Sequence, residues 1–150
     1  MRAVVQRVRG ATLSVGGELV SETGAGLVVY LGVGRGDAEK ECELTARKIC
    51  NMRIFEDGEG KMNLSVKDTR GEILLVSQFT LYGDARKGNR PSFTGAELPE
   101  TAEKLYVRVR DLIASEGVSV KTGVFGADMK INQINDGPVT ILLDFSAQNA

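Results

Sequence analysis

The sequence contains no histidine and no tryptophan, and only two cysteines, three prolines and five phenylalanines in 150 residues. The missing histidine is the most informative of these. It excludes a Ser-His-Asp or Cys-His mechanism within the chain. It also leaves two cysteines and scattered carboxylates as ligands for a zinc centre, so a catalytic zinc site is not expected. Long apolar runs are absent as well. None approaches the ~20 residues of a membrane-spanning helix. Met1-Arg2 leads into a strand-like segment with no apolar signal-peptide core. The formal net charge is -1, which gives no global nucleic-acid signature, so any such contact must come from a local patch. Cys42 and Cys50 fall on one predicted helix, too far apart to bridge, and read as buried thiols in a reducing cytoplasm. Chemistry, if there is any, falls to hydroxyls, carboxylates, lysines, backbone dipoles or the substrate itself.

What is present suits one domain spanning 1–150. Hydrophobic residues make up 42% of the chain, enough for a compact core. Val4, Val5 and Val8 mark a strand over Arg2–Arg9, followed by a second over Ala11–Val15. Gly16-Gly17 signals a hairpin, with Glu18–Ser21 returning. Leu27–Leu31 is continuously apolar and reads as a central strand. Gly32-Val33-Gly34-Arg35-Gly36 invites a dinucleotide-binding reading, but Asp37 stands where the third glycine is required. A helix is expected from about Asp37, as N-cap, to Met52, with Cys42, Ala46, Ile49 and Cys50 on its apolar stripe. Short strands at Arg53–Glu56 and Lys61–Leu64 flank the turn Asp57-Gly58-Glu59-Gly60, whose carboxylates lack calcium-loop spacing. A second helix starts at Pro99 and stops at Gly117, and Val118–Lys121 reads as a strand.

Four stretches remain that a scaffold does not require. Glu72–Phe79 reads as a central strand running into Ser77-Gln78-Phe79-Thr80, polar groups where a buried strand emerges. They are either a site edge or local partners for the backbone. Leu81–Thr94 is a loop carrying Asp84, Arg86, Lys87 and Arg90; it is a phosphate holder or an ordinary solvated loop. Phe125 and Met129 lie in the loop Thr122–Met129, where they either line an apolar pocket or plug the core. Asn135-Asp136-Gly137-Pro138-Val139-Thr140 separates the strand-like runs Lys130–Ile134 and Val139–Phe145. Gly137 opens dihedrals closed to other residues, and the bond before Pro138 has a cis option. The ordinary reading is a tight hairpin turn. The other is a rigid backbone element pointed into a binding site. The segment after Phe145 carries no role that can be assigned.

These stretches, in this order and after the opening Met1-Arg2-Ala3-Val4-Val5-Gln6-Arg7-Val8, resemble the D-aminoacyl-tRNA deacylase family over nearly the whole chain. The resemblance rests on Ser77-Gln78-Phe79-Thr80, Arg86 to Phe93, Phe125 to Met129 and Asn135 to Thr140. It implies a homodimeric mixed α/β fold, with strands wrapped into a barrel-like core and two main helices. It implies hydrolysis of the ester between a D-amino acid and the 3′-terminal adenosine of tRNA. Glycyl-tRNA, including glycine mischarged on tRNA-Ala, is the implied second substrate. By the same resemblance Ser77, Gln78, Phe79 and Thr80 line the catalytic pocket, Phe125 and Met129 help form the nucleotide pocket, and Gly137 and Pro138, as a Gly-cisPro pair entering the partner subunit's site, reject L-amino acids. The backbone N–H of Phe79 is the first candidate oxyanion donor. Neither cofactor nor metal is expected. Two other classes stay open: a hydrolase with Thr80 or Ser77 as covalent nucleophile, served by a lysine base, and a non-catalytic RNA-binding module.

Overall fold

In a computed structural model that describes residues 1–146, the chain starts with β1 (Arg2–Val15), one continuous strand rather than the two expected. It turns at Gly16-Gly17, both at positive φ as a tight hairpin requires, into β2 (Glu18–Thr23). β3 (Gly26–Gly32) follows and pairs antiparallel with the first half of β1. After α1 (Glu39–Asn51), the small hairpin of β4 (Phe55–Glu56) and β5 (Met62–Leu64) stands apart from the main sheet. β6 (Glu72–Ser77) then lies parallel to β3, α2 (Pro99–Ser115) crosses over, and β7 (Ser119–Thr122) lies parallel to β6. β8 (Met129–Asp144) closes the sheet by pairing antiparallel with β1 along almost its whole length.

Sequence alternation explains how the sheet wraps. On one face, Ala3, Val5, Leu27, Val29, Leu31, Ile73 and Leu75 join the stripe Cys42, Ala46, Ile49 and Cys50 of α1 and Tyr106, Val109 and Ile113 of α2. On the other face, Val28, Leu74 and Val76 meet Val8, Ala11 and Leu13, with Met129 and Ile131 packed alongside. The second half of β1 and the first half of β8 therefore fold over the face that the helices leave bare. The result is the expected barrel-like sheet with two main helices. Polar contacts tie α2 to the sheet and the two helices to each other. Tyr106 donates to the Leu75 carbonyl at 2.7 Å, and Arg108 pairs with Glu39 at 2.6 Å. Cys42 and Cys50 are free and buried. Burial pushes their thiols up, to about 12 and about 11.

The start of α1 differs from expectation. Ala38, not Asp37, occupies the N-cap, and Glu41 accepts a hydrogen bond from its N–H at 2.8 Å. Asp37 is buried one residue earlier. There it accepts from the Gly34 N–H at 2.7 Å and pairs with the Met1 ammonium at 2.8 Å. A fixed positive charge outcompeted the helix end for this carboxylate.

Candidate active site

Two motifs define the candidate site, and they lie on different parts of β1's surroundings. The first begins where β6 ends. Ser77 is the last strand residue, shorter than the expected run to Phe79, and Phe79–Tyr82 forms a single 3-10 turn. Gln78 N–H donates to the Leu31 carbonyl at 2.8 Å, which fixes the exit angle. Leu81 N–H then donates to Gln78 and Gly83 N–H to Thr80. The N–H groups of Phe79 and Thr80 have no hydrogen-bond acceptor among the described residues, as the opening amides of a helix do not. Phe79 and Thr80 are both exposed, while Ser77 and Gln78 are half-buried. The Gln78 amide donates to the Thr80 hydroxyl. No carboxylate or amine is hydrogen-bonded to Ser77 or Thr80 among the described residues. Behind the turn, Tyr82 is buried, its phenol pushed up to about 12 by desolvation, with the Arg2 guanidinium 4.6 Å above its ring.

The second motif corrects the hairpin reading. Asn135–Thr140 is no chain reversal, because β8 continues straight through it. Gln6 faces Thr140 and Gly10 faces Ile134, so β1 advances four residues while β8 advances six. The surplus forms a bulge that lifts Gly137 and Pro138 out of the ladder and into the open. The Gly137-Pro138 bond is cis. Gly137 has φ 127, and a Cβ there would stand 2.8 Å from Val139 Cγ2 and 3.2 Å from Arg7 Nη2. Only glycine fits.

The brace beneath this bulge is Arg7, a residue with no role expected from its local pattern. Arg7 is buried at 7% exposure. Its Nε donates to the Asp136 carbonyl at 3.1 Å and Nη1 to the Ile54 carbonyl at 2.7 Å. Arg9 adds an exposed contact to Asp136 Oδ1 at 3.3 Å. The signal was available, since Arg7 interrupts the apolar alternation of Ala3 and Val5 on the helix-facing side, where an unpaired charge is costly. Beside it runs a polar chain: Tyr30 donates to Gln133 at 2.9 Å, and Gln133 donates to Gln6 at 2.8 Å and to Asn135 at 2.6 Å. Gln6 in turn reaches Thr140 at 3.3 Å.

Phe125 and Met129 are half-buried and serve different clusters. Phe125 packs against the helix-side core, 6.0 Å from the Tyr106 ring, whereas Met129 packs on the opposite face of the sheet. Their loop starts where Gly123 N–H meets the Leu75 carbonyl at 3.3 Å, close to the end of β6. Within the chain the two motifs stay apart. Ser77 pairs with Leu31, which faces Ala3, while Asn135 faces Val8. Gly137 and Pro138 lie between Thr140, which faces Gln6, and Asn135, so they are offset from Ala3 by three to five residues along β1, about 10–17 Å, and β1 and β3 stand between β8 and β6. Clefts of about 560, 410 and 440 Å³ are lined by none of Ser77–Thr80, and only the last includes Gly137. Among the described residues no group of three His, Cys, Asp or Glu side chains is placed to hold a metal ion, and no helix is long and apolar enough to cross a membrane.

The family model described as D-Tyr-tRNA(Tyr) deacylase matches residues 4–144. A protein named D-aminoacyl-tRNA deacylase from Carboxydothermus hydrogenoformans is 55% identical over 96% of this chain and 99% of its own length. One of the same name from Thermotoga petrophila is 55% identical over 97% and 98%. Among solved structures, one titled c-Myc DNA Unwinding Element Binding Protein superposes with a TM-score of 0.92 at 46% identity, covering 98% of this chain and 100% of that one. A probable eukaryotic D-amino acid tRNA deacylase shares the fold at a TM-score of 0.81 and 20% identity, over 96% and 98% of the two chains. With a family match across nearly all of its length, this chain belongs to the D-Tyr-tRNA(Tyr) deacylase family.

Proposed function

We propose that this chain hydrolyses the ester joining a D-amino acid to the 3′-terminal adenosine of tRNA, with glycyl-tRNA, including glycine mischarged on tRNA-Ala, as a second substrate. The observation that carries the proposal is the free pair of N–H groups at Phe79 and Thr80, exposed at the mouth of a rigid strand. Such amides hold the negative charge that develops on a carbonyl oxygen when an ester is attacked. Water attacks the carbonyl carbon, the bond to the ribose 3′-oxygen breaks, and that oxygen takes up a proton. Free D-amino acid and tRNA leave. The Thr80 hydroxyl has an amide as its partner and no base, which makes it a poor nucleophile. The 2′-OH beside the ester is the better-placed group to orient or activate the water. Ser77, Gln78, Phe79 and Thr80 form the catalytic pocket in this account, and Phe125 and Met129 the adenosine pocket.

Chirality is assigned to Gly137 and Pro138. A rigid backbone wall excludes an L side chain by clash while contacting only groups common to all amino acids. The offset of about 10–17 Å along β1, with β1 and β3 standing between β8 and β6, keeps this wall from the Ser77–Thr80 turn of its own chain. A second copy related by a two-fold axis supplies it instead, which makes the active species a homodimer. Ile134 and Leu142, 66% and 76% exposed on either side of the bulge, are apolar surface that a second copy would cover. The test compares D-Tyr-tRNA with L-Tyr-tRNA. Release of the D-aminoacyl group alone is expected. Equal cleavage would remove the steric wall from the account, and sedimentation of a fully active monomer would remove the shared site.

A further inference from the structure

Next to the Ser77–Thr80 turn, two phenyl rings stand in the open. Phe79 is 56% exposed and Phe93 36%, and they meet edge to face with centroids 5.2 Å apart. Phe93 is held from both sides. Asp84 and Ser92 exchange backbone hydrogen bonds at 2.8 and 2.9 Å, and Ala96 N–H donates to the Phe93 carbonyl at 3.0 Å. The chain between those anchors is short, exposed and basic. Arg86 is taken up by a double contact to Asp84, at 2.9 and 2.7 Å. Lys87 and Arg90 have no carboxylate partner among the described residues. The surface therefore offers a fixed aromatic face with two available cations beside it. A folded protein partner would demand a wider apolar patch. A single-stranded nucleic acid, with flat bases alternating with phosphates, matches both features.

We propose that Phe93 is the stacking platform for the unpaired nucleotide immediately 5′ of the terminal adenosine of tRNA, with Lys87 and Arg90 on the neighbouring phosphates. The inference rests on the deacylase reading above and deepens it. That reading uses the adenosine and its ester, whereas Phe93 acts on the nucleotide before them. Stacking reads no base edge, so this contact serves every tRNA that ends in the same unpaired C-C-A.

The test measures binding of two non-hydrolysable analogues, in which an amide links a D-amino acid to adenosine alone or to C-C-A. Wild-type protein is expected to bind the C-C-A form roughly 5- to 150-fold more tightly, the value of one base–aromatic stack. Phe93→Ala and Phe93→Leu should bring the two affinities together, and Phe93→Trp should restore the gap. Lys87→Gln with Arg90→Gln should flatten the salt dependence of C-C-A binding by roughly 0.7 in log–log slope for each cation. Equal wild-type affinities for the two analogues would overturn the proposal. So would an equal loss for both in Phe93→Leu, which would make Phe93 a prop for Phe79. Wild-type protein that binds neither analogue and leaves D-aminoacyl-tRNA intact would instead refute the deacylase reading beneath it.

Discussion

The turn at Ser77–Thr80 ends an apolar strand and the bulge at Asp136–Pro138 interrupts an alternating one, and they are held in place by different means. The turn hangs from the dry centre of the molecule. Leu74, Leu75 and Val76 are at most 1% exposed, and the Leu31 carbonyl accepts from the N–H of Gln78, the first residue past the strand. The bulge sits on strand residues that alternate between half-buried and exposed, and a buried guanidinium braces it from below. A turn supported by core packing can present free amides with constant geometry, as oxyanion stabilisation needs. A bulge supported by one side chain presents a wall of atoms whose position depends on that side chain. The first arrangement suits chemistry and the second suits rejection.

The strongest test of that division leaves the protein alone and alters the RNA. A D-aminoacyl-tRNA ending in 2′-deoxyadenosine should bind but be cleaved ~10²–10⁴-fold more slowly, the usual worth of acid–base assistance. Thr80→Ala should by contrast retain substantial activity on the normal substrate. A deoxy substrate cleaved at the normal rate, with a folded but inactive Thr80→Ala and a trapped acyl-enzyme, would move catalysis from the RNA to Thr80.

Smaller in effect, but aimed at the bulge, is Gly137→Ala. Its Cβ would press on Val139 Cγ2 at 2.8 Å with φ at 127. Displacing the wall by even an ångström should lower D-aminoacyl-tRNA turnover about 10²-fold or release the L-isomer from exclusion. Circular dichroism should show the fold kept. Wild-type kinetics from this variant would reduce the motif to a structural bulge.

The mildest change is Arg7→Met, which keeps the stem and removes the charge. It leaves the Asp136 and Ile54 carbonyls without their donor, a loss of about 1–3 kcal/mol of stability. Urea unfolding measures the loss, and selectivity between D- and L-aminoacyl-tRNA should weaken with it. Unchanged stability and selectivity would mean that the ladder with β1, not Arg7, sets the bulge.

Much of the scaffold could be read from the chain because its determinants are local. Leu27–Leu31 and Ile73–Val76 are apolar runs too short for helices, and both became the paired central strands. Cys42, Ala46, Ile49 and Cys50 keep helical spacing, and all four are buried. Gly16-Gly17 fits one kind of turn and makes it. The polar end of β6 was legible for a related reason, since Ser77-Gln78-Phe79-Thr80 follows an apolar run with no loop signal between them.

Other features depended on partners distant in sequence. Asn-Asp-Gly-Pro satisfies a hairpin and a bulge equally well in local terms. Pairing with both halves of β1 decided for the bulge, because β1 is one strand and offers a ladder on either side of the gap. Asp37 has the composition of an N-cap, but the buried Met1 ammonium claimed it. Phe125 and Met129 lie four residues apart in the sequence yet pack on opposite faces of the sheet, because β8 begins at Met129 and carries it over the face the helices do not cover. By itself the sequence determined the two helices and the central strands, through spacing and side-chain size. Tertiary structure alone decided which carboxylate meets which charge, and that Gly137 and Pro138 stand outward on Arg7, because long-range pairing sets register and local propensity does not.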